Sequence, residues 1–151
     1  MHRSRVEEWM SVPPLVVSPT TTLAAAQSLM EEHHLHHLPV VQDDRLIGIV
    51  TAGDLRAAQP FNATTLSADA WLALLNRTTI AECMTHNPVT VATDASVLDA
   101  ARQMLAHNIG GLPVVEGTRV VGMITRTDLL RLLLADETRL EELTVGWRAS
   151  A

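Results

Sequence analysis

Aromatic residues make up only 3% of this 151-residue chain, with no tyrosine and one phenylalanine. A core must therefore be packed from aliphatic side chains, which the 47% apolar content supplies. One cysteine, Cys83, excludes an intramolecular disulfide and a Cys-rich zinc site. Basic residues are few: 11 Lys and Arg stand against 17 Asp and Glu, for a net charge of −6. With no five-residue basic run, this balance opposes general nucleic-acid binding, which needs clustered cations facing phosphates. Long apolar runs are missing as well, so no segment is expected to span a bilayer. Met1 to Met10 carries Arg3 and Arg5 with no apolar stretch behind them, unlike a secretory signal. These absences lead to the expectation of a soluble cytoplasmic protein, built as one domain or two intimate half-domains.

What the chain does have is a repeat. Leu38-Pro39-Val40-Val41 returns as Leu112-Pro113-Val114-Val115, 74 residues on. At the same offset Met10 meets Met84, Pro14 meets Pro88, Met30 meets Met104 and His33 meets His107. Gly48, Thr51, Asp54 and Leu55 meet Gly122, Thr125, Asp128 and Leu129. Roughly a third of the positions from Glu8 to Arg56 are identical to Glu82 to Leu130 without a gap. A folding unit has been duplicated, so a site built by one copy can be built by the other across a pseudo-twofold axis.

Each copy reads as strand, helix, strand, strand, helix. In the first, Leu15 to Val17 is a short β-type run. Thr22 opens a helix with Leu23, Ala26 and Met30 at helical spacing. Leu38 to Val41 and Arg45 to Thr51 form a hairpin turned at Asp43-Asp44, and a helix follows from Asp54 to Ala58. In the second, Val89 to Val91, a helix capped by Ser96, a hairpin from Leu112 to Thr125 and an apolar helix from Asp128 to Ala135 repeat the order. The resulting expectation is an α/β protein. Residues 1–58 and 80–135 form its two repeats, 59–79 a linker with a short helix around Trp71, and 136–151 a C-terminal helix and tail.

Gly48-Ile49-Val50-Thr51-Ala52-Gly53-Asp54 and Gly122-Met123-Ile124-Thr125-Arg126-Thr127-Asp128 each stand where a strand becomes a helix. Thr-x-x-Asp is close to a capping box, which satisfies the first free helix amides. The same geometry suits a nucleoside phosphate. Helix amides attract phosphate, a carboxylate one turn in can accept both ribose hydroxyls, and Ile49 or Met123 can lie against a base.

The doubled pattern of short strand, helix, Leu-Pro-Val-Val, hairpin and Gly-x-x-Thr-x-x-Asp-Leu resembles a tandem pair of cystathionine-beta-synthase (CBS) domains, a Bateman module, over about Val6 to Ala135. The resemblance implies two β-α-β-β-α units packed through their sheets, usually regulatory and commonly paired as homodimers. It implies adenosine-type ligands, AMP, ADP, ATP or S-adenosylmethionine, bound between the repeats with no cofactor required. Asp54 and Asp128 match the family's ribose-binding carboxylates, Thr51 and Thr125 the neighbouring hydroxyls, and Ile49 and Met123 the base contacts. His36 and His37 match a basic pair that touches the phosphate of the ligand held by the other repeat's acid, here Asp128. Gly110 and Gly111 stand in that place for Asp54 and offer close approach without charge.

Two other readings compete. The Thr-x-x-Asp motifs serve only as caps in a ligand-free dimerisation module, or the cluster His33-His34-x-His36-His37 binds a metal, since imidazoles are good ligands for zinc, copper and nickel. Against the metal, the cluster falls where a helix should end, and the match of His33 to His107 points to a helix-end role. No catalytic constellation is visible, so the expectation is not an enzyme. With no effector domain between these residues, a regulatory output would pass to an effector protein or through assembly, without nucleic acid or membrane.

Overall fold

The computed structural model describes residues 4–59 and 66–136. Its elements, in chain order, are α1 (Val6–Trp9), α2 (Leu23–His33), β1 (His37–Gln42), β2 (Arg45–Thr51), α3 (Ala52–Ala57) and α4 (Ala68–Arg77). A 3-10 turn (Ile80–Glu82) precedes β3 (Thr85–His86), β4 (Val91–Ala92), α5 (Val97–His107), β5 (Gly111–Glu116), β6 (Arg119–Thr125) and α6 (Arg126–Ala135). The chain is α/β, with two three-stranded sheets ordered β1-β2-β3 and β4-β5-β6. The proposed tail, 137–151, lies outside the described residues.

Local chemistry sets the boundaries of the long helices. Thr22 and Ser96 cap α2 and α5, their hydroxyls accepting from Ala25 N at 3.2 Å and Asp99 N at 3.0 Å. Caps of this kind are worth about 1 kcal/mol each. Both helices end in a left-handed residue, His34 and Asn108. The first hairpin turns through Asp43 and Asp44, both at positive φ, the conformation that matches the twist of the flanking strands.

The described residues divide into two compact units. One takes in 13–59, 66–88 and 116–120; the other takes in 4–12, 89–115 and 121–136. The first buries Leu23, Ala26, Met30, Leu38, Val40, Val50 and Leu55 with Leu75 of α4 and Ile80. The second buries Val97, Ala100, Met104, Leu112, Val114, Ile124 and Leu132 with Val6 of α1. The segment leading into each repeat therefore packs on the other repeat's unit. Ile80 N donates to Thr21 O at 2.8 Å in one unit, and Val6 N donates to Ala95 O at 2.9 Å in the other.

This exchange changes the expected strands. Leu15 to Val17 does not form a strand: only Val17 makes a parallel bridge, to Val40, in a segment bounded by Pro13, Pro14 and Pro19, which lack the amide a ladder needs. The expected strand at Val89 to Val91 forms as Val91–Ala92, parallel to β5. β3, not expected from the sequence, pairs antiparallel with β2, placing Thr85 opposite Ile49. Its counterpart in the second unit is the antiparallel bridge between Ser11 and Met123.

The repeated methionines and glycines explain one another. A Cβ on Gly48 would stand 2.7 Å from Met84 Sδ and 2.9 Å from the Thr85 carbonyl oxygen. One on Gly122 would stand 2.6 Å from Met10 Sδ and 3.1 Å from the Ser11 carbonyl oxygen. Each glycine is the flat spot on which the exchanged segment lies.

Candidate functional site

Thr51 and Thr125 end β2 and β6 in extended conformation, and the helices that begin after them place Asp54 and Asp128 at their third positions. In the first unit the box is reciprocal. Thr51 N donates to Asp54 Oδ2 at 2.8 Å, and Asp54 N donates to Thr51 Oγ1 at 3.1 Å. Asp54 is half-buried, and its Oδ1 takes no part in these bonds.

The second unit is tighter. Asp128 is 4% exposed. Its Oδ2 accepts from Thr125 N at 2.8 Å and from Thr125 Oγ1 at 3.1 Å, while Arg131 lies 3.2 Å from Oδ1. Arg131 is a neighbour the sequence reading missed, although its spacing three residues after an acid on a helix is a legible signal. Its side chain is 66% exposed, so the pair contributes at most about 1 kcal/mol and is easily exchanged for another partner.

Ile49 and Met123 are 9% and 8% exposed, and lie outside the hydrophobic cluster of their own unit. Their neighbours Val50 and Ile124 are inside those clusters. Strand alternation therefore puts Ile49 with Thr51, and Met123 with Thr125, on the sheet face away from the core. Within each unit the residues before the Leu-Pro-Val run also meet the Thr-x-x-Asp turn. His37 pairs with Thr51, and Ala52 N donates to His36 O at 3.0 Å. Arg126 N donates to Gly110 O at 3.0 Å, with Gly111 buried at the start of β5. His36 is exposed and His37 half-buried.

His33 is the last residue of α2, His34 its left-handed cap, and His37 the first residue of β1, so His33 and His37 do not share a helix face. Among the described residues no group of three or more His, Cys, Asp or Glu is placed to hold a metal ion. No helix among them is long and apolar enough to cross a membrane.

Cys83 packs half-buried against the first unit's core. Burial, then the negative charges of Asp54 and Glu82, push its thiol above the ordinary range. Folding thus disfavours the thiolate: the stability held while the thiol is protonated is lost as pH rises through the raised value. Iodoacetamide should alkylate Cys83 at pH 8 more slowly than free cysteine, and Asp54→Asn should accelerate the reaction by removing one of the charges. An unchanged rate would mean that Asp54 does not reach the thiol.

Residues 6–60 and 80–135 match the family model of the CBS domain, and the chain belongs to that family as a tandem pair. A CBS domain-containing protein of Dictyostelium discoideum is 37% identical over 131 residues, covering 85% of this chain and 90% of its own. The CBS domain pair of protein MJ0100 in complex with 5′-methylthioadenosine and S-adenosyl-L-methionine matches at a TM-score of 0.75 and 32% identity. That match covers 89% of this chain and 99% of the other. CBSX2 in complex with AMP matches at a TM-score of 0.72 and 28% identity, over 88% and 98% of the two chains. Other relatives are much longer. This chain spans 23% of an L-aspartate semialdehyde sulfurtransferase from Methanocaldococcus jannaschii, at 33% identity.

Proposed function

We propose that this protein is a regulatory sensor that binds an adenine nucleotide or a related adenosyl ligand through its two Thr-x-x-Asp turns. The observation that carries the reading is the repeated pairing of a helix-start carboxylate with a threonine, in a chain whose structural relatives hold AMP or S-adenosylmethionine. Asp54 and Asp128 accept the ribose hydroxyls, Thr51 and Thr125 stand beside them, and Ile49 and Met123 meet the base. Following the family pattern, His36 and His37 serve a ligand phosphate, and Gly110 and Gly111 offer a ligand close approach without charge. A ligand acts by its difference in affinity between two arrangements of the protein, and the output passes to a partner or through assembly.

Thermal denaturation tests this. At a ligand concentration near 100 times its dissociation constant, stability should rise by about 2.7 kcal/mol. No shift with AMP, ADP, ATP or S-adenosylmethionine would contradict the reading. Titration of His37→Ala with AMP and with adenosine tests the phosphate assignment. A loss confined to AMP supports it, and an equal loss for both ligands places His37 elsewhere.

Self-association belongs to the same proposal. Leu105 of α5 is 83% exposed, and Leu130 and Leu134, one turn apart on α6, are 59% and 73% exposed. Apolar surface of this kind marks an interaction face. A homodimer through α5 and α6 should sediment as a monomer once Leu130 and Leu134 are both changed to glutamate. An unchanged dimer would exclude this face.

A further inference from the structure

The first unit holds a cavity of about 360 Å³ between α2 and α3 whose lining does not include Asp54. Met30, Leu35 and Leu55 give it an apolar floor, and Glu31, His34, His36 and Arg56 give it polar walls. Glu31 is held in place by Gln27, whose Nε2 donates to Oε1 at 3.1 Å. Arg56 and Glu31 carry opposite charges into one cavity, yet they make no ion pair with each other. Each is left to attract a separate group.

The second repeat supplies an internal control. Seventy-four residues on, the floor is kept, as Met104, Ile109 and Leu129. The charges are gone: Glu31 and Arg56 become Leu105 and Leu130, while His34 and His36 become Asn108 and Gly110. The shared floor belongs to the fold, which both copies need. The charged set is confined to one copy, so the fold does not require it.

We infer that this cavity binds an α-amino acid with an aliphatic side chain. Arg56 takes the carboxylate, which matches a guanidinium's planar fork of donors, and Glu31 takes the ammonium. The apolar floor receives the side chain. A simple anion would face the Glu31 carboxylate and a simple cation would face Arg56, whereas a zwitterion satisfies both. The volume lies at the lower end of small-molecule sites, which suits a ligand of this size. This site is separate from the nucleotide reading and shares only His36 with it, so the test uses Glu31 and Arg56.

L-leucine, L-valine and L-methionine are titrated separately into the full chain, with binding read by calorimetry. At least one should saturate. Its affinity should fall about tenfold or more, roughly 1.4 kcal/mol, in Arg56→Met and in Glu31→Gln, both of which keep the aliphatic stem. The analogue lacking the ammonium and the amide lacking the carboxylate charge should each weaken by a similar factor. Asp54→Asn and Asp128→Asn should leave amino-acid binding unchanged. The inference is overturned if none of the three saturates by about 10 mM, well beyond ordinary site affinities. Binding equal to wild type in either cavity variant also overturns it. Competition by AMP would assign the cavity to the nucleotide's own site and overturn it too.

Discussion

Asp128→Asn is expected to weaken adenine-nucleotide binding about 10- to 100-fold, since hydrogen bonds to a charged acceptor contribute about 1.5–3 kcal/mol. The variant separates helix capping from the proposed ligand binding. As a cap, Asp128 accepts from the Thr125 amide and hydroxyl through one oxygen. An asparagine oxygen can still accept there, and Arg131 is exposed enough to turn to solvent. The stability cost should therefore stay near 1 kcal/mol or below, as for a partly retained cap. As a ligand-binding group, Asp128 offers a ribose its charge, which asparagine lacks. Loss of affinity with near-native stability supports the sensor. A change in stability alone supports a module in which the turns only cap helices. Asp54→Asn should have the smaller effect on a phosphorylated ligand. If it abolished all nucleotide binding while Asp128→Asn did nothing, the two turns would have been assigned the wrong way round.

Gly48→Ala and Gly122→Ala should each destabilise the fold by about 1–3 kcal/mol, the usual cost of forcing atoms into a packed space. At Gly48 the new methyl would meet a backbone oxygen as well as Met84, and backbone cannot swing aside. At Gly122 the nearest atoms are Sδ and Cγ of Met10, with the Ser11 oxygen just behind. Met10→Ala should then rescue Gly122→Ala in part, giving a coupling of about 0.5–3 kcal/mol between contacting sites. Gly53 provides the opposite sign. A Cβ there meets nothing closer than Thr51 Oγ1 at 3.5 Å, and the position is helical. Gly53→Ala should stabilise by about 0.5–1 kcal/mol. Urea denaturation of the three variants checks the pattern. Equal effects at all three positions would mean that the methionines do not lie on the glycines.

These glycines also mark what was legible in the sequence. Met10 and Met84, like Gly48 and Gly122, stand out in the repeat. That a methionine covers a glycine of the other copy does not, because the exchange of leading segments is a tertiary choice. The helix starts at Thr22 and Ser96, the Asp43-Asp44 turn and the Thr-x-x-Asp boxes were legible, since each is decided within three or four residues. Leu15 to Val17 was misread because β propensity did not reveal that its neighbouring prolines leave room for a single bridge. β3 was missed because Thr85 and His86 pair with a strand more than thirty residues earlier. In the candidate site, the pairing of each acid with its threonine as a helix cap could be named from spacing alone. Arg131, three residues after Asp128, carries the same kind of spacing signal, whereas the cavity beside His36 does not, since it depends on which way side chains leave their helices.

Carboxylates at two helix starts are proposed to hold a ribose. Calorimetric titration of the wild-type chain with AMP, ADP, ATP and S-adenosylmethionine, followed by the 2′,3′-dideoxy counterpart of the tightest binder, tests it most directly. Saturable binding by at least one of the four is expected, with an affinity about tenfold or more lower without the two hydroxyls. Absence of binding by all four, or equal affinity with and without those hydroxyls, would contradict it.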